Sequence, residues 1–152
     1  MAEEIREGKD NENMTNPAAG AGAKAVRSLE EARKKLQGIV DDTRRGSYEL
    51  AVPFMADDRE ITHLEYDFGA LNGWEFADAM DKGASRRNDA ENMTAKQGLY
   101  LFAAASSKRT EHVDEDDIIE RMSMEDGIKA GQIAQLFFKA ASQLGNLRIS
   151  NA

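Results

Sequence analysis

The chain contains no cysteine. Disulfides, thiolate nucleophiles and cysteine-ligated zinc are therefore excluded. Long apolar runs are also missing: nothing approaches the roughly 18 residues of a membrane span. The opening MAEEIREGKD lacks the apolar centre of a secretory signal, so a cytosolic location is expected. The two Asn-Met-Thr sequons, at Asn13 and Asn92, then carry no meaning. Positive charge is in short supply, with 20 Lys plus Arg against 28 Asp plus Glu and a net charge of −8. Phosphate binding needs a basic face, so nucleic acid and anionic membrane surfaces are not expected partners. Acidity suits solubility or a basic protein partner. No dinucleotide loop, Walker A motif, nucleophile elbow or His-Glu-x-x-His helix is present, so neither an enzyme nor a cofactor is expected.

What is present fits one domain. The chain has 152 residues, 41% hydrophobic and 32% charged, enough for a modest core. Residues 1–27 are polar and rich in Gly, Ala and Asn, and read as a disordered tail. Ser28 with Glu31 forms a capping box, opening a helix or arm over 28–46 that carries Leu29, Ala32, Leu36, Ile39 and Val40 and stops at Gly46. That helix is either loosely packed on the surface or an arm that orders against a partner.

Tyr48 to Phe68 alternates with period two. Tyr48, Leu50, Val52 and Phe54 form one apolar face; Thr62, Leu64, Tyr66 and Phe68 form the other strand's face. Ala-Asp-Asp-Arg-Glu is the turn between them. Pro53 marks an edge, and a two-stranded hairpin is too small to stand alone. Helices follow. Asn72 with Glu75, Thr94 with Gln97, and Asp114 with Asp117 each read as caps. Ser123 opens the last helix, where Ile133, Leu136, Phe137, Ala140, Ala141 and Leu144 repeat at i, i+3, i+4 until Gly145. The predicted fold class is α+β: a hairpin, then about four helices, with a domain over 47–145 and a short tail over 146–152.

Chemistry-bearing residues are few. His63, Glu65 and Asp67 share one side of the second strand, a pattern that either meets a metal or is simply solvated. Asp114 to Asp117 lacks the spacing of a calcium loop, and helix capping explains it. No metal is expected. His112 precedes a helix and is expected at the surface. Met55, Met80, Met93, Met122 and Met124 lie near element ends, either filling the core or supplying an adaptable binding surface.

The order of these pieces resembles the tail assembly chaperones of long-tailed bacteriophages and prophages. The match runs through Pro53, Phe54, Ile61, Leu64 and Asp67 of the hairpin. It continues through Leu71, Gly73 and Glu75 of the next helix start, and through Met122 to Asp126. It covers Tyr48 to Leu144. The turn has Asp-Asp-Arg where the family usually has Gly, and Met1 to Gly46 has no counterpart. The resemblance implies an adaptor in the host bacterial cytoplasm, absent from the mature virion. Such an adaptor coats the tape measure protein, a long helical client, and helps recruit tail tube protein. Some members occur in two lengths through a translational frameshift, and this chain is expected to be the shorter. Client binding is expected in a hydrophobic groove built from Trp74, Phe76, Met80, Leu99, Phe137 and Phe138. Homo-oligomerisation stays open. Two other functions compete: a structural subunit of the phage head or tail, and an acidic adaptor that occupies a basic protein.

Overall fold

Helix formation starts well before Ser28. In the computed structural model, which describes residues 17–84 and 92–150, α1 spans Pro17–Thr43. Proline suits the first helical position, where its missing N–H costs nothing and its φ is already helical. Alanines then carry the helix on. Ser28 and Glu31 consequently lie inside a helix and do not cap one. The expectation of a disordered tail stands corrected from Pro17 onward. Residues 1–16, 85–91 and 151–152 lie outside the described residues.

The chain then folds back as β1 (Arg45–Ala56) and β2 (Arg59–Asp67), an antiparallel pair. Gly46, expected to stop the preceding helix, sits in β1 opposite Tyr66, whose ring covers it. Ala56 pairs with Arg59, leaving Asp57 and Asp58 as a two-residue loop with φ of 50° and 58°. Positive φ at both positions is the type I′ signature, whose hand suits twisted strands. A short 3₁₀ turn (Phe68–Ala70) leads to α2 (Gly73–Lys82), α3 (Ala95–Ser107), α4 (Glu115–Arg121) and α5 (Met124–Ser150). The α+β class, a hairpin followed by four helices, is therefore observed.

The hairpin is not regular. Tyr48 faces Leu64 and Glu49 faces His63, but the next paired residues are Phe54 and Ile61. Four residues of β1 oppose one of β2, an excess of three. An odd excess inverts which side of β2 accompanies a given side of β1. Ile61 and Leu64 are both buried, although simple alternation would set them on opposite faces of β2. Val52, expected on the apolar face, sits in the bulge and is exposed.

Helix α3 is the centre of the domain and touches α2, α4, α5 and β2. Leu101 to Ser106 are all buried along it. The Phe102 ring lies against Tyr66 at 5.1 Å and edge-on to Tyr48 at 6.4 Å. Phe102, Leu64, Leu101 and Ile118 are the largest fully buried apolar side chains, each worth roughly 1.5–3 kcal/mol of transfer free energy. Helices α3 and α5 approach at Gly98 and Gly131, where a Cβ on Gly98 would lie 2.7 Å from the Gly131 carbonyl oxygen.

One face position and one boundary of α5 differ from expectation. Leu136 is exposed, because the buried stripe runs through the small residues Ala130 and Ala134 that permit this close approach. Gly145 does not end the helix, since half-buried Leu147 continues the apolar spacing after Ala140 and Leu144. A second cluster joins Val40, Ile39 and Leu36 at the end of α1 to Ala140 and Leu144. The chain divides within α1, between Lys35 and Leu36. Among the described residues, no helix is long and apolar enough to cross a membrane.

Candidate functional site

A chain of local signals places Phe76. The Asn72 side chain accepts the Glu75 N–H at 2.8 Å while Glu75 accepts the Asn72 N–H at 3.1 Å, a full capping box. Lys108 pairs with the second Glu75 oxygen and holds the Glu75 pKa below the usual carboxylate range, with the Asn72 N–H contributing. The start of α2 is thus fixed, and one turn later Phe76 faces α5. There it stacks on Phe138, centroids 5.8 Å apart and rings inclined by 9°. Phe68, from the 3₁₀ turn, stacks on Phe137 at 4.7 Å.

These four rings, with Leu71, Leu101, Ala141 and Ser142, line an apolar groove of about 320 Å³ between α2 and the later half of α5. Phe76, Phe137 and Phe138 are each half-buried, so their rings are shared between core and groove. Of the six residues expected to bind a partner, these three come together. Trp74 does not join them: it is 80% exposed on the first turn of α2. Met80 and Leu99 pack against the main core and do not line the groove. Phe68, Leu71, Leu101, Ala141 and Ser142 went unread as groove residues. The signals were present: Leu71 stands just before an N-cap, and Ala141 and Ser142 follow Phe137 and Phe138 by one turn.

A second site is structural. Asp126 is fully buried. Its carboxylate accepts the Tyr48 hydroxyl (2.7 Å) and the Ala51 N–H (2.8 Å) on one oxygen, and the Val52 N–H (3.0 Å) and Ser123 hydroxyl (2.9 Å) on the other. Two of these donors are bulge amides that β2 does not pair, so the carboxylate replaces the missing strand partner. Burial alone would raise the Asp126 pKa, but the four donors outweigh it and hold the pKa below the ordinary value. The Tyr48 hydroxyl is correspondingly pushed up to about 12, by burial first and by Asp126 next.

The metal reading of β2 dissolves. Asp67 is buried, with its carboxylate on Arg109 Nη2 (2.7 Å) and the Gly69 N–H (2.8 Å). Burial opposes its ionisation, but Arg109 and Gly69 prevail and lower the pKa. His63 is exposed and meets the Thr62 hydroxyl instead. Among the described residues, no group of three metal-ligating side chains converges. His112, at φ 66°, meets Asp57 of the hairpin turn at 2.9 Å, and the acidic run Asp114–Asp117 caps α4.

Compared with known proteins, the chain matches no family model, no curated protein and no solved structure.

Proposed function

We propose that this protein is a phage tail assembly chaperone that takes an apolar helical segment of the tape measure protein into the groove between α2 and α5. The observation that supports this reading is the convergence of Phe76, Phe137 and Phe138 on one open apolar groove, lined further by Phe68 and Leu71. An amphipathic helix presents residues at i, i+3, i+4 and i+7, and a groove of this kind accepts two or three of them. Flat aromatic walls bind such residues without demanding one sequence. Modest area and few polar contacts favour reversible binding, which a factor that leaves the finished tail requires. Its place would be the host cytoplasm, with tail tube protein as the second partner.

The test is co-expression with the tape measure protein of the same phage, followed by capture of the complex. Phe138→Asp places a charge among the rings, and Ser142→Arg crowds the groove from its exposed rim. Both are expected to lower capture at least tenfold with the circular dichroism spectrum unchanged. Full capture by both variants would remove the groove from the reading. Mass spectrometry of finished particles is expected to find none of this chain; stoichiometric amounts would make it a structural subunit.

A further inference from the structure

Every residue of α1 from Arg27 to Lys35 is exposed. A helical stretch with no packed side is marginal in water, unlike the end of α1, where Leu36, Ile39 and Val40 pack. Its exposed stretch has a definite character. Leu29 and Ala32 lie on one side, with Arg33 one turn after Leu29, and Arg27, Arg33, Lys34 and Lys35 outnumber Glu30 and Glu31. It is therefore a basic helix with a narrow apolar stripe, in a chain of net charge −8.

The complementary surface lies where the hairpin bulge meets the α4–α5 corner. The Val52 N–H on Asp126 sets Val52 against the first turn of α5, and Arg121 donating to the Met55 carbonyl sets Met55 beside α4. Met124 and Ile128 stand one turn apart on α5. All four side chains are more than half exposed, Met124 at 83%. Acid borders them: Glu60 is the cross-strand neighbour of Met55, Glu125 follows Met124, and exposed Glu120 lies in the last turn of α4. Arg121 is paired with Asp117, and Lys129 and Arg59 are further basic residues near this edge. This surface is separate from the groove of the proposed function.

We propose that the basic helix 27–35 of one chain docks on the Val52–Met55–Met124–Ile128 surface of a second copy. Leu29 and Ala32 meet the exposed methionines and Ile128, while Arg33, Lys34 and Lys35 face Glu120 and Glu125. Reciprocal exchange closes a two-fold dimer. The charge term makes the association salt-sensitive, and the apolar term keeps it from vanishing.

Sedimentation velocity of the full chain over a hundredfold concentration range, at low and high salt, is the experiment. A concentration-dependent dimer is expected, weakened about tenfold at high salt. The triple variant R33E/K34E/K35E and the single variant Ile128→Glu each alter exposed side chains only, and each is expected to give a monomer. Mixing the triple variant with E120K/E125K is expected to restore a heterodimer. Phe138→Asp is expected to dimerise normally, so loss of client binding and loss of this interface read out separately. A monomer at every concentration overturns the proposal, as does association that survives either Ile128→Glu or the triple variant.

Discussion

Single residues decide more here than their number suggests. Asp126 joins three separate segments through one carboxylate: β1 at Tyr48, the bulge at Ala51 and Val52, and the start of α5 at Ser123. Asp126→Asn keeps the shape but removes the charge and turns one acceptor into a donor facing N–H groups. A loss of about 3 kcal/mol at pH 7 is expected in urea denaturation, the scale of a charged buried network left part-satisfied. The pH dependence has a definite sign. The folded pKa is lowered, so the folded chain sheds this proton where the unfolded chain still holds it. The stabilisation is complete above the ordinary carboxylate range and fades as pH falls through the folded value. The wild type and Asp126→Asn should therefore converge below about pH 4. Equal losses at pH 7 and pH 3 would show that charge is not the cause. The sequence places Asp126 as an N3 residue beside Ser123, which is correct. Its larger task is illegible there, because the amides that it serves lie more than seventy residues away.

At the scale of elements, three of the four capping boxes read from the sequence form, while the box at Ser28 and Glu31 falls inside a longer helix. The boxes at Asn72–Glu75, Thr94–Gln97 and Asp114–Asp117 all close as their spacing predicts. These are contacts within four residues, which sequence states directly. Helix α1 begins earlier than expected because an alanine-rich stretch has no apolar contrast to betray it. Helix α5 uses Ala130 and Ala134 where larger residues such as Leu136 attracted attention. The reason is the α3–α5 approach, a property of two elements and of neither alone. It yields a paired prediction. Helix propensity favours alanine over glycine by about 1 kcal/mol. At Gly127, where an added Cβ meets nothing within 4 Å, Gly127→Ala should stabilise by about that amount. At Gly98 the same change meets the Gly131 carbonyl oxygen at 2.7 Å and should destabilise by about 2 kcal/mol net. Thermal melts of both variants check it, and two shifts of equal sign would contradict the geometry.

For the whole molecule, the α+β order was readable because period two and period 3.6 alternate cleanly along the chain. The groove was half-readable. Phe138 stands beside the main α5 stripe, an offset that the sequence shows directly. Trp74 was expected in the groove, yet the helix start that orients Phe76 inward leaves Trp74 outward. Residues of one element can be assigned to a face from sequence, whereas the pairing of α2 with α5 requires the folded chain.

The three surplus residues of β1 have a consequence for how this domain tolerates change in length. Tyr48 pairs with Leu64 and Phe54 with Ile61, so each ladder is held by its own cross-strand pairs while the residues between them bow away from β2. The shape of that bow answers to Asp126, which takes the Ala51 and Val52 amides. Removing Ala51 disturbs one of these bonds; removing Ala51 and Val52 together disturbs both, and should leave the less stable chain of the two in urea. Changes of length should thus survive only where two consecutive amides still reach that carboxylate, so a side chain on another element gauges the length of this loop.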